Sequence, residues 1–204
     1  MVGETEMSGA KQEILKRVRQ AIGQAEPPVL PSRTYRQSGP PDIEGFIEKL
    51  HDYNAGVYRC ATHEIEATIT HAMDTRGKQH LLIPSGLPEG DRFIRDNNLT
   101  YAELDAAEGV LTCCTVAIAM TGTIVLTHSE TEGRRALTLI PDYHLCIVRA
   151  DQVVGTVPEG IRRLRDLRTR PITTISGPSA TADIEMTRIK GVHGPRTLDV
   201  ILVG

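Results

Sequence analysis

After residue 40, short apolar runs alternate with segments that carry apolar residues at helical spacing. The strand-like runs are GVYRCA, HLLIP, AIAMTGTIVLTH, HLCIVRA, PITTISG and LDVILV. Helical patterns follow Asp42 and Thr62, which are residue types that cap helix amino termini. Further helices are predicted at PEGDRFIRDNN and at residues 159–168. Most strand-like runs are apolar at consecutive positions, as in strands buried on both faces. The pattern predicts an α/β fold in which helices cover both faces of a mostly parallel sheet.

The first 40 residues follow a different pattern. Residues 10–23 place Ile14, Leu15, Val18 and Ile22 on one helical stripe, and Gly23 can end the helix. The next segment, QAEPPVLPSRTYRQSGPPD, contains five prolines and is typical of a semi-extended linker. We therefore predict an N-terminal helix and Pro-rich linker over residues 1–39 and a main domain over residues 40–204. The apolar stripe requires the appended helix to dock on its own domain or on a partner.

Composition narrows the classes of partner. The chain has 204 residues, 23 Lys and Arg, 26 Asp and Glu, and a net charge of −3, so nothing indicates nucleic-acid binding. The start, MVGETEMSGAK, has no apolar signal segment. The longest uncharged run, residues 111–129, is interrupted by threonines and Gly122, which favours buried strands over a membrane span. These features predict a cytoplasmic protein that does not span a membrane.

The cysteine pattern argues against a metal or cluster site. Cys60, Cys113, Cys114 and Cys146 lie in apolar stretches, and none form a C-x-x-C pair. Free cysteines in such surroundings are usually buried and reduced. The chain also lacks the H-E-x-x-H spacing of a zinc site and the G-x-G-x-x-G turn of a dinucleotide site. We therefore expect no resident metal and no cofactor.

The segment SGPSATADIEMTRIKGVHGP, residues 176–195, is rich in groups that can bind an anion. It follows a predicted strand, and ligands of open α/β sheets bind beyond the carboxyl ends of strands. The candidate ligand-binding residues here are Gly177, Ser179, Thr181, Asp183, Glu185, His193 and Arg196. We expect them to form one wall of a pocket for a small anion, with Asp183 holding His193 or Arg196. The alternative is that Ser179, Thr181 and Asp183 only cap a local helical turn.

A second candidate segment is the turn Thr121, Gly122 and Thr123 between two apolar strands. A glycine between hydroxyl residues can present backbone N–H groups to an anion. We expect this turn to form the facing wall of the same pocket, and the alternative is a simple tight turn. Arg134 and Arg135 follow in a predicted helical turn, EGRRAL, and are candidates to reach the pocket.

Two further patterns have less specific interpretations. His128 and Ser129 stand near Glu130 and Asp142, but there is no G-x-S-x-G elbow to support a catalytic triad. The helix PEGIRRLRDLRTRP carries five arginines, which favour a solvated basic face, with a docking patch for an acidic or phosphorylated partner as the alternative.

At AIAMTGTIVL, LIPDYHLCIV and SGPSATADIEMTRIKGVHGPRTLDVILV, the sequence closely resembles the LUD-domain family over residues 40–204. This resemblance implies a three-layer α/β/α, CoA-transferase-like fold, which is shared with ribose-5-phosphate isomerase. It also implies a role in oxidising L-lactate to pyruvate, alongside two partner proteins, at least one of which carries iron–sulfur clusters.

One position departs from the family pattern. The family commonly has an acidic residue before the T/S-G-T turn, where this chain has Met120. In CoA transferases of this fold a glutamate is the covalent nucleophile, and a thioether cannot take that role. We therefore expect an accessory subunit of an L-lactate utilization system that binds a small anionic ligand. The alternatives are a stand-alone enzyme acting on a CoA ester, folate or sugar phosphate, and a regulatory ligand sensor. A homodimer is a further alternative.

Overall fold

The computed structural model describes residues 4–23, 35–167, 169–181, 189–190 and 194–204. The chain divides into two compact units, Met1–Tyr35 and Arg36–Gly204. Within the described residues the helices are α1 (Glu4–Ile22), α2 (Ile43–Asp52), α3 (Ile65–Thr75), α4 (Tyr101–Asp105), α5 (Arg135–Leu139) and α6 (Val157–Arg163). None of these helices is long and apolar enough to cross a membrane.

The first unit contains helix α1, which ends at Gly23 in the left-handed conformation, with φ +61°. The apolar stripe of α1 is exposed at Ile14, Leu15, Val18 and Ile22. The second unit begins at Arg36, a few residues before the predicted boundary. The Gln37 carbonyl accepts hydrogen bonds from Thr156 (3.3 Å) and Arg162 (2.7 Å) of the same unit.

The strands of the described chain are β1 (Gly56–Cys60), β2 (Leu81–Ile83), β3 (Phe93–Arg95), β4 (Val110–Cys113), β5 (Val116–Ile118), β6 (Thr123–Leu126), β7 (Tyr143–Arg149), β8 (Val153–Val154), β9 (Thr173–Ile175), β10 (Ala180–Thr181), β11 (Ile189–Lys190) and β12 (Thr197–Val203). Six of them form a parallel sheet in the order β1-β12-β7-β4-β2-β3. A second sheet has the order β8-β5-β6-β9, with antiparallel β5–β6 and β6–β9 pairs and a parallel β5–β8 pair. Strands β10 and β11 form a separate antiparallel pair.

Both faces of the six-stranded sheet are buried. On one face, Leu145 of β7 and Ile201 of β12 pack against Ile69 and Met73 of α3. The opposite face packs against α2 and the second sheet, through a cluster that includes Phe46, Leu50, Ala117, Ile124, Cys146, Val148, Leu198 and Val200. The outer face of the second sheet packs against α6 through Val116, Ile118, Val125, Val154, Val157 and Leu164. The predicted α/β fold with a mostly parallel sheet and an N-terminal helix is confirmed, and the second sheet is an addition.

One predicted helix is wrong. Within PEGDRFIRDNN, the residues Phe93–Arg95 form the edge strand β3, which pairs in parallel with β2. Arginine side chains hold this segment extended, because Arg92 donates to the carbonyls of Lys78 (2.5 Å) and Gln79 (3.1 Å), and Arg95 donates to the Leu87 carbonyl (3.2 Å). Strand pairing and these bonds outweigh the local helical pattern.

The arginine-rich helix is shorter than predicted. Helix α6 covers Val157–Arg163, and a separate 3₁₀ turn follows at Arg165–Leu167. The Thr156 and Glu159 side chains form a capping box at its amino end, and Glu159 accepts from the Thr156 N–H at 2.9 Å. The chain turns after α6 because Leu164 packs against the second sheet. Arg168, at the end of the predicted helix, lies outside the described residues.

A buried ion pair lies at the amino end of β12. The Asp199 side chain is completely buried, and its carboxylate accepts two hydrogen bonds from Arg76, at 2.8 and 2.6 Å. The Tyr143 hydroxyl donates a third bond at 3.0 Å. Burial and the neighbouring Asp199 carboxylate raise the pKa of Tyr143, so its hydroxyl keeps its proton. The pair therefore links α3 to the two central strands.

Candidate functional site

A cleft of about 360 Å³ lies where the two sheets meet. One wall comes from α5, whose residues Arg135, Thr138 and Leu139 are spaced i, i+3 and i+4 and so share a helix face. A second wall comes from His144 and Leu198, the second residues of β7 and β12, which are register partners. The remaining lining residues are 173–179, Gly194 and Pro195. A cleft of this size can accommodate a small organic ligand.

The position of the cleft differs from the sequence prediction. His144 and Leu198 stand at the amino ends of their strands, so the cleft lies at the amino edge of the six-stranded sheet and not at its carboxyl edge. Residues 176–179 still follow the carboxyl end of a strand, because β9 belongs to the second sheet. The rule that ligands bind beyond the carboxyl ends of strands is therefore met at this cleft by β9, and not by β7 or β12.

The turn after β9 forms part of the cleft as its sequence suggests. Gly177 has φ +84°, and a Cβ atom added there would lie 2.4 Å from the Cβ of Tyr53, so both conformation and space require glycine. The Ser179 N–H donates to the Pro195 carbonyl at 2.8 Å, which joins the two predicted turns. Ser176, Gly177 and Ser179 all line the cleft.

The Thr121–Thr123 turn supports the cleft from behind. The Thr123 hydroxyl lies 2.7 Å from the Thr121 hydroxyl and 2.8 Å from the Ser176 hydroxyl, so the two predicted segments are in direct contact. The Gly122 N–H, however, donates to the Ala119 carbonyl at 3.3 Å. Gly122 has φ +60°, and an added Cβ would lie 2.6 Å from the Cβ of Lys49 on α2. Because its N–H is bonded and it packs on α2, Gly122 serves as a tight turn.

The other predicted ligand-binding residues take different positions. Arg196, which Asp183 was expected to hold, forms an ion pair with Asp142, with Nε at 2.7 Å from both carboxylate oxygens. Thr181 belongs to β10, where it pairs with Ile189. Asp183, Glu185 and His193 lie outside the described residues, and their part in binding stays a prediction.

The two adjacent arginines of the β6–α5 segment differ in their surroundings, because one is ion-paired and the other lines the cleft. Arg134 donates two hydrogen bonds to the nearly buried carboxylate of Asp96, at 2.7 and 2.9 Å. Arg135 is exposed and lines the cleft, and no carboxylate of the described chain pairs with it. It is therefore the one described lining residue that offers a positive charge to an anion.

His144 is a lining residue that the sequence analysis missed. Its side chain is only 1% exposed, and its Nε2 atom lies 2.8 Å from the Thr112 hydroxyl of β4. Its Nδ1 atom is the one buried side-chain polar atom in the described chain without a hydrogen-bond partner. Burial lowers the pKa of His144 from 6.5 to about 4, so the ring is neutral near pH 7. The available signal was a polar residue within the apolar run HLCIVRA.

A second histidine positions the rim of the cleft. His128 has φ +56°, a conformation that is uncommon outside glycine, and it lies two residues after the end of β6. Its Nδ1 lies 2.9 Å from the Gly133 carbonyl, which can only accept, so Nδ1 carries the proton. In a neutral ring Nε2 then accepts from the Thr173 hydroxyl at 2.9 Å. His128 therefore fixes Thr173, which lines the cleft.

The buried carboxylate of Glu132 organises the loop that carries His128. Glu132 is 1% exposed and accepts hydrogen bonds from the Thr115 hydroxyl (2.6 Å) and from the N–H groups of Thr127 (2.6 Å) and Ser129 (3.2 Å). The predicted acids of this segment, Glu130 and Asp142, do not join His128 in these bonds. The geometry favours a structural loop over a triad.

The cysteines of the described chain are all free thiols. Cys114 and Cys146 are buried, and Cys60 and Cys113 are partly buried. Burial raises the pKa of the Cys113 thiol to about 11, which makes it a poor nucleophile at neutral pH. Among the described residues, no group of three or more His, Cys, Asp or Glu side chains is placed to hold a metal ion.

A comparison of the sequence with models of protein families identifies the family. The model of the LUD domain matches residues 43–203. The chain belongs to the LUD-domain family. A relative from Deinococcus radiodurans, named Lactate utilization protein C, is 42% identical, and the match covers 96% of each chain. A protein of the same name from Shouchella clausii is 32% identical over 53% of this chain and 49% of the relative.

A solved structure supports the same relationship. The crystal structure of a DUF162 family protein from Deinococcus radiodurans matches with a TM-score of 0.69 and 40% identity, covering 79% of this chain and 96% of the other. The resemblance noted at the three sequence motifs is thus confirmed for the LUD-domain family.

Proposed function

We propose that the protein is an accessory subunit of an L-lactate utilization system, which oxidises lactate to pyruvate, and that its cleft binds a small organic anion. The observation that carries this proposal is the relative named Lactate utilization protein C, which is 42% identical over 96% of both chains. Similarity over nearly the full length supports a shared role better than a match confined to one motif.

The cleft has the chemistry that binding of a small anion needs. Arg135 provides a guanidinium group, which pairs well with carboxylates. Three hydroxyl-bearing residues, Thr173, Ser176 and Ser179, line the same cleft. None of the described lining residues carries a carboxylate that would repel an anion.

The proposed partners are the iron–sulfur proteins that the family resemblance implies. They would perform the electron transfer, and this subunit would supply binding. The exposed apolar stripe on α1 supports such an association, because four large apolar side chains on one helix face favour burial against another surface.

The proposal is tested in the host strain by deleting the gene and restoring it in three forms. These are the full chain, the Arg135→Gln variant, and the Arg170→Gln variant as a matched exposed arginine outside the cleft lining. We expect the deletion to abolish growth on L-lactate but not on glucose, the full chain and Arg170→Gln to restore it, and Arg135→Gln to restore it poorly. Native mass spectrometry of the protein purified from its host should show iron–sulfur partner subunits.

Normal growth of the deletion strain on L-lactate would contradict the lactate role. If the purified protein alone converted a CoA ester, folate or sugar phosphate, the accessory assignment would be wrong, and the enzyme alternative would replace it.

A further inference from the structure

His144, which lines the cleft, carries a buried nitrogen without a partner in the described chain. His144 is only 1% exposed. Of its two ring nitrogens, only Nε2 has a hydrogen-bond partner in the described chain. Buried polar atoms in proteins are nearly always hydrogen-bonded, because leaving one unpaired forfeits its interaction with water. An unpartnered nitrogen on a residue that lines a cleft is therefore a candidate to bond a ligand atom.

The strand geometry directs this ring towards the cleft. Side chains alternate along β7, and Cys146 and Val148, which follow His144 at even spacing, face the second sheet. Leu198, the register partner of His144 on β12, packs on the same side and also lines the cleft. His144 thus lies on the face of the sheet that the turn after β9 covers.

We propose that the cleft recognises a 2-hydroxy or 2-oxo carboxylate, with Arg135 pairing with the carboxylate and His144 Nδ1 bonding the oxygen at the second carbon. This inference rests on the proposed function and deepens it by naming the class of anion. A cation and a neutral hydrogen-bonding group in one cleft match an acid that carries a polar oxygen beside its carboxylate.

Thr112 lets the ring serve both forms of such an acid. Its hydroxyl lies 2.8 Å from His144 Nε2 and 3.9 Å from the Cys146 sulfur, so the hydroxyl hydrogen can point to either atom. When it points to Nε2, Nδ1 carries the proton and donates to a carbonyl oxygen. When it points to sulfur, Nε2 donates to Thr112, and Nδ1 accepts from a ligand hydroxyl.

The neutral state of the ring agrees with this role. Burial holds the pKa of His144 at about 4, so either neutral tautomer is available near pH 7. Arg135 then supplies the positive charge among the described lining residues, and the ring supplies discrimination between ligands.

The test compares three anions on the full chain: L-lactate, pyruvate and propionate, which lacks the second oxygen. Binding is followed by the ring ¹⁵N signals of protein labelled at histidine, with His144→Gln used to assign the signal. We expect L-lactate and pyruvate to bind at least about fivefold more tightly than propionate, as expected for one added hydrogen bond. Both should shift His144 Nδ1, with its proton retained for pyruvate and absent for lactate.

Variants separate recognition from folding. His144→Leu should bind all three anions with equal affinity, His144→Gln should keep part of the preference, and the exposed control His51→Gln should behave as the unaltered chain. Arg135→Gln should weaken all three anions alike. Circular dichroism checks that each variant is folded.

The outcomes distinguish this inference from the proposal on which it rests. If L-lactate and propionate bind equally and the His144 signal does not move, His144 reads no ligand oxygen and the inference is overturned, while the anion-binding cleft stands. If none of the three anions binds and Arg135→Gln changes nothing, the anion-binding cleft is itself wrong.

Discussion

The buried ring of His144 should make the stability of the protein depend on pH. Burial lowers its pKa from 6.5 to about 4, so between these values the unfolded chain binds a proton that the folded chain does not. The stabilisation is complete above the unfolded pKa of 6.5, and it is lost as the pH falls towards 4. Acidification therefore favours unfolding.

The size of the effect follows from the difference between the two pKa values. At 1.36 kcal/mol per pKa unit, the complete loss is about 3 kcal/mol, of which about 2 kcal/mol is reached by pH 5. For a urea dependence of about 2 kcal/mol/M, this moves the unfolding midpoint by about 1 M.

The assay is urea unfolding followed by circular dichroism at several pH values between 7.5 and 5. His144→Leu should lose about 2 kcal/mol less than the unaltered chain over this range, because the titrating ring is gone. His144→Gln provides a second, polar replacement, and the exposed His51→Gln is the control. If the unaltered chain and both His144 variants lose stability in parallel, the ring is solvated in the folded protein and this reasoning fails.

Three further predictions concern the fold. In urea unfolding, Arg76→Met should destabilise the protein by about 2–3 kcal/mol. This is somewhat less than the loss expected for a fully buried pair, because Arg76 is 38% exposed. The double variant Arg76→Met/Asp199→Asn should recover part of this loss. A change below about 0.5 kcal/mol would show that the ion pair contributes little. Gly122→Ala should lower the free energy of unfolding by about 1–2 kcal/mol, because Gly122 has a positive φ and lies close to Lys49. The control Gly9→Ala in α1, where nothing lies within 4 Å of the added Cβ, should be neutral or stabilising. Equal effects of the two variants would contradict this account. Deleting residues 1–35, which keeps Gln37 as a partner of Thr156 and Arg162, should leave cooperative thermal unfolding intact, and loss of the cooperative transition in calorimetry would show that the first unit is needed for folding.

The elements that sequence predicts well are those whose pattern reflects burial on both faces. The runs HLCIVRA and LDVILV became β7 and β12, which are central in the parallel sheet and packed from both sides. The Asp42 cap of α2 was also predictable, because the signal is local; its carboxylate accepts from the Gly45 N–H at 2.8 Å. Strand β3 was not, since it is an edge strand held by pairing with β2 and by arginine bonds to distant carbonyls.

The second sheet could not be predicted from the sequence for a related reason. Its pairs β5–β8 and β6–β9 join segments that are far apart along the chain. Pattern identifies such strands, but only long-range packing decides which sheet each joins. This division moved the cleft to the amino edge of the six-stranded sheet.

The site shows the same limit. The lining residues Gly177 and Ser179 could be predicted, because a glycine turn after a strand is a local signal. Arg135 could be suggested as a lining residue because it lies in a predicted helical turn near the Thr121–Thr123 turn. The ion pair of Arg196 with Asp142 depends on tertiary contact between two loops, and so does the open nitrogen of His144. No spacing in the sequence encodes either contact.

Met120 stands where the family commonly has an acidic residue, and its position shows how that residue would relate to the cleft. Met120 is 49% exposed on the turn between β5 and β6, its N–H bonds the Gly155 carbonyl at 3.2 Å, and it does not line the cleft. The turn contacts the cleft through the Thr123 and Ser176 hydroxyls. A missing acid at this turn therefore removes chemistry from the turn and leaves Arg135 and His144 in place. A chain can therefore lack an acid at this turn and still retain Arg135 and His144 in its cleft. The accessory binding role proposed above requires this combination.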